Sequence, residues 1–264
     1  MKFGNCVDLI AVVRTGANEC IEAMDKAGFN FIEANLTSIS TATKEELRKA
    51  KELLETYALP IPVCNCMFPK DIRIAGSDKN PKRVWDYVAN VFPRARELGV
   101  EKVVLGSDKS RQLPEGYPSD QAYDEFIDLV GENILPLCEK NDMVVMIEPL
   151  RKPCNFINTL ADGMRIVRGV GSPYIRLIAD TIHMITSGED PTYVHNIVQD
   201  IFHVHVSDWE RDLPVYRYSP ELTAVLREIK ASGYSGDYSF EAAPPKTEDD
   251  LQKARILLYQ KMVP

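Results

Sequence analysis

The feature that most constrains the fold of this chain is a regular alternation between short apolar runs and longer amphipathic stretches. Eight runs have the length and composition of buried β-strands, at residues 3–12, 29–34, 61–66, 102–106, 144–148, 175–180, 201–206 and 237–242. Helical patterns lie between them, at residues 43–58, 81–99, 120–141, 159–170 and 247–260. Strands joined by helical crossovers run parallel, and 264 residues is a usual length for eight such units. We therefore predict a single-domain (β/α)8 TIM barrel over residues 1–264, with a doubly wound sheet as the second interpretation.

Composition limits the partners that such a barrel would have. The formal net charge of −8 disfavours a nucleic acid, whose binders usually carry a basic face. No apolar run approaches the roughly 18 residues that span a bilayer, and the first residues, "MKFGNCVDLIAVVR", lack the apolar core of a secretion signal. The six cysteines are scattered, which is typical of a reducing compartment. We expect a cytoplasmic protein with no membrane or nucleic-acid partner.

Each of the last four predicted strands ends in a side chain that could bind a metal ion. These side chains are Glu148 in "IEPL", Asp180 in "ADTIH", His205 in "HVHVSD" and Glu241 in "FEAAPP". Successive members are 32, 25 and 36 residues apart (180−148, 205−180, 241−205), about one strand-helix unit each. In such barrels the C-terminal strand ends meet at one rim, where the active site lies. We expect the site at the ends of strands 5 to 8.

The strand at residues 201–206 also predicts which histidines face the barrel interior. Side chains alternate along a strand, so one face carries Ile201, His203 and His205. The other face, directed toward the helices, carries Phe202, Val204 and Val206. His205 is then expected at the rim, with His203 one layer deeper.

Three carboxylates and one imidazole form a hard, oxygen-rich set of ligands. Such a set favours octahedral Mn²⁺, Mg²⁺ or Co²⁺ over a tetrahedral structural Zn²⁺. We expect Mn²⁺, with Mg²⁺, Co²⁺ or Zn²⁺ as alternatives. Four protein ligands leave room for a hydroxyl and a carbonyl of a sugar, while Glu148 and Glu241 would serve as paired acid and base. A lone carboxylate after a strand is usually a helix cap or ion-pair partner; the coincidence on four consecutive strands favours the metal site.

These segments resemble the xylose isomerase-like TIM-barrel superfamily, in its sugar phosphate isomerase/epimerase branch. The resemblance rests on "IEPL", "ADTIHM", "HVHVSDWER" and "FEA", which fall in the family's order and spacing, and it spans nearly the whole chain. It implies four metal ligands, namely Glu148, Asp180, His205 and Glu241. It also implies that the two glutamates remove and return a proton through a cis-enediolate, as in ketose 3-epimerases.

The resemblance further implies a set of substrate-binding residues. His183, three residues after the aspartate ligand, matches the family's substrate-binding histidine. Arg211, six residues after the histidine ligand, matches the arginine that binds a substrate oxygen and steadies the enediolate. The segment "VVLGSDKSRQLPEG", residues 103–116, resembles a loop of this branch that would bring Ser107 and Arg111 to the substrate.

One segment departs from the family pattern. Ketose 3-epimerases usually carry another glutamate a few residues past the ligand of strand 5, whereas "PLRKPCNFINT" follows Glu148 here and contains no acid. It offers Arg151, Lys152 and Asn155 instead. This departure predicts a more anionic substrate, such as a phosphorylated or carboxylated sugar, with Arg151 and Asn155 among the groups that bind it.

Three other function classes stay open beside a metal-dependent sugar isomerase or epimerase. A sugar or inosose dehydratase would use the same metal platform, and the sequence does not separate it from an epimerase. A hydrolase of the endonuclease IV type needs further histidines, which the ends of strands 3 and 4, "VCNCMFP" and "VVLGSD", lack. A non-catalytic sugar-binding barrel is disfavoured by the acid and base candidates Glu148 and Glu241. Barrels of this family often form dimers or tetramers, so we also consider a homo-oligomer.

Overall fold

A computed structural model describes residues 1–247 and 249–262, and at its centre eight parallel strands form a closed barrel. Neighbouring strands pair in chain order, and the last strand pairs with the first. The strands are β1 (Phe3–Val7), β2 (Phe31–Asn35), β3 (Val63–Asn65), β4 (Lys102–Leu105), β5 (Val144–Ile147), β6 (Ile175–Asp180), β7 (Ile201–Val206) and β8 (Tyr238–Phe240). The predicted single-domain (β/α)8 barrel is confirmed, and the open doubly wound sheet is not observed in the described residues.

Helices surround the barrel on its outer face. Within the described residues they are α1 (Leu9–Thr15), α2 (Glu19–Lys26), α3 (Leu36–Thr41), α4 (Lys44–Tyr57), α5 (Pro81–Glu97), α6 (Asp108–Arg111), α7 (Ser119–Leu129), α8 (Leu135–Asn141), α9 (Leu160–Val170), α10 (Thr181–Ser187), α11 (Pro220–Ala231) and α12 (Asp249–Met262). A π-helical segment, Val130–Ile134, joins α7 to α8. Short 3₁₀ segments cover Pro191–Asn196, Val198–Asp200 and Trp209–Arg211. In the part of the chain described here, no helix is both long and apolar enough to cross a membrane.

Two predicted elements differ from the structure for local reasons. The strand expected to reach residue 12 ends at Val7, because the Asp8 side chain accepts a hydrogen bond from the Ala11 backbone and caps α1. The single helix expected at 120–141 is divided into α7, the π-helical segment and α8. Pro136, in the first turn of α8, has no N–H to donate to the preceding turn, which removes one α-helical hydrogen bond beside the π-helical segment.

The pairing of β6 with β7 contains an irregularity. Leu177 pairs with Ile201 and the next residue, Ile178, pairs with His203, so Phe202 is an extra residue in β7. The predicted faces of Ile201 and Phe202 are therefore wrong. Ile201 belongs to the core between barrel and helices, whereas Phe202 packs against the barrel interior. His203 is fully buried, as its predicted position beneath the rim requires.

The interior of the barrel has an apolar layer toward the N-terminal ends of the strands. Five side chains form this layer, namely Phe31, Val63, Val104, Met146 and Ile178. On three of these strands the inward position two residues further along carries an acid, and these acids are Glu33, Glu148 and Asp180. On these three strands the interior side chains thus change from apolar to acidic from one layer to the next.

Candidate active site

A cavity of about 370 Å³ opens at the C-terminal ends of the strands. Glu148, Glu241, His183 and Arg211 line it together with basic residues of the loops after β3, β4 and β5. This is the end of the barrel at which the strand-end residues predict a site.

Four residues at or next to the C-terminal ends of β5 to β8 converge on one point beside this cavity. Each of Glu148, Asp180, His205 and Glu241 offers one ligand atom, and the four atoms lie within 4.8 Å of one another. His205 Nδ1 lies 3.4 Å from Glu148 Oε1, 3.4 Å from Glu241 Oε2 and 3.8 Å from Asp180 Oδ2. Chain topology thus brings together residues that are about one strand-helix unit apart in the sequence.

The donor atoms at this point fit a divalent cation. Among the described residues, Glu148 Oε1, Asp180 Oδ2 and His205 Nδ1 are buried and have no hydrogen-bond partner. Buried polar atoms normally have a partner, and one cation would satisfy all three atoms. Three carboxylates and one imidazole are a donor set suited to Mn²⁺, Mg²⁺ or Co²⁺. The other oxygen of Asp180 is already occupied, since Oδ1 accepts from the Ile182 backbone at 2.9 Å and caps α10.

A glycine leaves room for one of these carboxylates. Gly106 follows β4, and a Cβ built on it would overlap Oε2 of Glu148. A side chain at position 106 would therefore force the Glu148 carboxylate to move. The requirement for glycine here arises from close approach and not from backbone conformation.

Glu33 on β2 is a buried acid beside the cluster that the sequence pattern does not single out. Its side chain is fully buried, and its carboxylate lies 2.7 Å from His205 Nε2 and 3.0 Å from His203 Nε2. Ser239 Oγ lies 3.0 Å from the same nitrogen of His203. Burial alone would raise the pKa of Glu33, but His205 and His203 outweigh it and hold the pKa well below its ordinary value. The available signal was a lone acid inside the apolar run "FNFIEA".

His183 and Arg211 lie against the four-residue cluster. His183 Nδ1 accepts from the Arg151 backbone N–H at 3.2 Å, and its Nε2 lies 3.5 Å from Asp180 Oδ2. The Arg211 guanidinium donates to the Glu241 carboxylate and lies 3.3 Å from His183 Nε2. Both residues line the cavity, next to the groups they are expected to assist.

Two carboxylates of the cluster have pKa values shifted in opposite directions. Burial alone would raise the pKa of Asp180, but His183 and the other basic neighbours hold that pKa well below its ordinary value. Burial raises the pKa of Glu241, and the Glu148 carboxylate adds to the rise against the opposing effect of His205. The pKa of Glu241 in the metal-free cluster is therefore higher than that of an ordinary glutamate, while the pKa of Asp180 is lower.

Two other residues expected at the substrate also line the cavity. Ser107 contributes to its wall, where its Oγ accepts from the Phe68 backbone at 2.9 Å. Arg151 lies at the mouth beside Lys152. Both positions agree with the interpretation of these residues as substrate contacts, which stays a prediction.

Arg111 and Asn155, also expected at the substrate, lie outside the cavity lining. Arg111 is fully buried, and its guanidinium donates to the backbone oxygens of Ile157 at 3.1 Å and Leu105 at 3.4 Å. The Asn155 amide exchanges two hydrogen bonds of 2.9 Å with the backbone of Leu113. Neither residue is part of the cavity lining, and their polar atoms bind backbone groups. These hydrogen bonds hold the loops together. The interpretation of the two residues as substrate contacts stays a prediction.

Several residues around the cavity have a strained backbone. Cys66, Ser107, Glu210 and Arg211 have φ angles of 51°, 51°, 60° and 58°, in the left-handed region that favours glycine. Three of the four line the cavity. Such conformations persist where the surrounding structure enforces them, and they concentrate at functional sites.

Comparison with known proteins agrees with the fold. A family model described as xylose isomerase-like TIM barrel matches residues 21–260. No curated protein gives a significant match. A D-allulose 3-epimerase from Methylomonas sp., solved in complex with D-allulose, superposes with a TM-score of 0.82 at 16% identity, over 99% of this chain and 97% of that one.

Two further solved structures have the same fold. An L-ribulose 3-epimerase has a TM-score of 0.81 at 17% identity, over 99% of this chain and 94% of that one. A 3-keto-D-glucoside 4-epimerase from E. coli has a TM-score of 0.78 at 17% identity, over 98% of this chain and 99% of that one. At these identities the likeness concerns the fold.

Proposed function

The chain belongs to the xylose isomerase-like TIM barrel family, and we propose that it is a divalent-metal-dependent isomerase or epimerase of a small sugar derivative. The observation that carries the proposal is the convergence of four ligand atoms within 4.8 Å at the cavity. Three of these atoms are buried and lack a hydrogen-bond partner in the described part of the chain. Mn²⁺ is the cation we expect.

The chemistry follows from two carboxylates and one cation. Glu148, Asp180, His205 and Glu241 would hold the cation, which when bound polarises an adjacent hydroxyl and carbonyl of a sugar. One glutamate, Glu148 or Glu241, takes the proton from the carbon beside the carbonyl. The C–H electron pair then forms a carbon–carbon double bond while the carbonyl π pair moves onto the carbonyl oxygen, which gives an enediolate. The other glutamate returns a proton to the opposite face, which inverts that carbon.

His183 and Arg211 would bind the substrate during this transfer. The Arg211 guanidinium lies at Glu241 and 3.6 Å from Asp180 Oδ2, so it reaches the place where negative charge develops on the substrate oxygens. A fixed positive charge at that place stabilises the enediolate more than the neutral substrate. His183, with its buried ring beside the same carboxylates, would orient a substrate hydroxyl.

The mouth of the cavity favours an anionic substrate. Lys70, Arg151 and Lys152 line it, and in the described part of the chain their side chains form no ion pair or hydrogen bond. Lys109, at the same mouth, lies 3.7 Å from its partner Asp108. Unpaired cations on two loops that line the same cavity suit a phosphate or carboxylate group on the sugar.

Proton exchange in D₂O tests the proposal. The Mn²⁺-loaded protein would be mixed with free ketoses, their phosphorylated forms, sugar acids and inososes, and each mixture followed by NMR. We expect deuterium at one carbon together with a new epimer or isomer, faster for an anionic sugar than for its neutral counterpart. Loss of water from an inosose or a sugar acid would instead identify a dehydratase. Silence across the panel with Mn²⁺ bound would contradict catalysis.

A further inference from the structure

Glu33 is a charged group in a place where the barrel itself does not require one. Its side chain is fully buried between β2 and β7, 170 residues from one of its partners in the sequence. The inward residue before it on β2, Phe31, belongs to the apolar layer. A buried carboxylate costs several kcal/mol unless its partners compensate for the lost hydration. An apolar side chain at this position would avoid that cost, so the acid needs another explanation.

The partners of Glu33 give that explanation. Among the described residues its ion-pair partners are the two imidazoles of β7. Oε1 of Glu33 lies 2.7 Å from His205 Nε2, and Oε2 lies 3.0 Å from His203 Nε2. An ionised carboxylate only accepts hydrogen bonds, so each of these nitrogens must carry its proton. His203 holds the second oxygen, and Ser239 Oγ lies 3.0 Å from the same nitrogen of His203. The first oxygen of Glu33 is thus directed at His205.

The consequence concerns the other nitrogen of His205. With Nε2 donating to Glu33, the ring presents Nδ1 to the Glu148, Asp180 and Glu241 carboxylates. A metal ion binds the nitrogen that carries no proton, and the hydrogen bond made by the opposite nitrogen fixes the ring and raises its basicity. A ring free to turn or to exchange its protonated nitrogen would present Nδ1 only part of the time.

We propose that Glu33 is a positioning residue that holds His205 with Nδ1 toward the carboxylate cluster, and so sets the affinity of the site for a divalent cation. The inference rests on the proposed function only in needing a cation at the cluster. It assigns Glu33 no contact with the substrate and no part in proton transfer.

A double-mutant cycle on Mn²⁺ affinity tests this role without reference to activity. Affinities would be measured by competition with a chelating dye for the wild type, Glu33→Gln, His205→Gln and the double variant. We expect Glu33→Gln alone to weaken Mn²⁺ binding about 10- to 100-fold. In the His205→Gln background, the same substitution should change the affinity less than about twofold, because its effect passes through His205. A structural defect would instead lower both affinities alike.

Ser239→Ala is the matched control. It removes a hydroxyl from the same buried network but leaves the bond between Glu33 and His205 in place. Its Mn²⁺ affinity should stay within about twofold of the wild type. Thermal unfolding of each metal-free variant shows whether the barrel is retained.

Equal Mn²⁺ affinity in the wild type and Glu33→Gln would overturn the inference, as would equal losses in both backgrounds of the cycle. If Glu33→Gln does not fold, Glu33→Asp keeps the charge and withdraws it by about one C–C bond. That variant should also bind Mn²⁺ at least about tenfold more weakly, and wild-type affinity would overturn the inference. Glu33-dependent Mn²⁺ binding without proton exchange on any substrate would uphold this inference and contradict the proposed function.

Discussion

Two layers of the barrel interior lie one pleat apart and differ in chemistry on β2, β5 and β6. On these strands the lower layer is apolar and contains Phe31, Met146 and Ile178, while His203 of β7 lies beside Ile178. Two residues further along the same strands stand Glu33, Glu148 and Asp180. The same strands, with the same neighbours, thus accept apolar side chains in one layer and carboxylates in the next. The difference teaches that the acids of the upper layer are a requirement of the site and not of the barrel.

The energetics of the two layers support this division. Each apolar side chain of the lower layer stabilises the fold by roughly 1.5–3 kcal/mol through burial. The carboxylates of the upper layer are buried close together, which destabilises the fold unless cations or hydrogen bonds compensate. Variants of the upper layer should therefore act mainly on metal binding and catalysis, and variants of the lower layer on stability.

The largest effect is expected at Glu241, which joins Glu148 and Asp180 of the upper layer in the ligand cluster. Glu241→Gln keeps the size of the side chain and removes its ability to take up a proton. Proton exchange at the substrate carbon should fall about 10³-fold, within the range of general acid–base catalysis, while circular dichroism and thermal unfolding stay close to the wild type. The exposed Glu221→Gln, in the first turn of α11, is the control. Full activity in Glu241→Gln would contradict the mechanism.

The next effect is expected in the lower layer. Met146→Ala removes a fully buried side chain from the apolar cluster, which should lower the free energy of unfolding by about 2–5 kcal/mol. Urea denaturation measures this loss. Mn²⁺ affinity of the folded variant should remain within about threefold of the wild type, since no ligand moves. A loss of Mn²⁺ affinity without a loss of stability would contradict the claim that the lower layer acts mainly on stability.

A smaller effect is expected at the glycine beside Glu148. Gly106→Ala places a methyl group where Oε2 of Glu148 lies, so the carboxylate must shift from its position in the cluster. We expect Mn²⁺ affinity to fall about 10- to 100-fold, as for other disturbances of a ligand's support. Gly131→Ala is the matched control, because an added Cβ there meets no atom within 4 Å. Equal affinities in the two variants would remove the claimed role of Gly106.

The rim of the site could be predicted from the sequence because its residues follow a local rule. Glu148, Asp180 and His205 each end a strand, and strand ends of a closed parallel barrel meet at one edge. The spacing of about one strand-helix unit between successive residues indicated that they lie on neighbouring strands. These features depend only on periodicity, which the sequence carries directly.

The remaining features depend on contacts that periodicity does not encode. Glu33 lies inside a strand, and its contacts appear only when barrel closure lets its side chain meet His203 and His205 of β7 in the interior. Phe202 enters the interior because of one extra residue in β7. The direction of the Arg111 guanidinium is set by the backbone oxygens of Leu105, six residues earlier, and of Ile157, 46 residues later.

The central claim is that one layer of the interior binds a cation and the next does not, and two histidines on one strand test it most directly. Glutamine in place of histidine keeps an N–H near the position of Nε2 and has no atom at Nδ1. Mn²⁺ affinity would be measured for His205→Gln and His203→Gln. We expect more than a 100-fold loss for His205→Gln and less than about a tenfold loss for His203→Gln, because only Nδ1 of His205 faces the carboxylates. Equal affinities in the two variants would contradict the account.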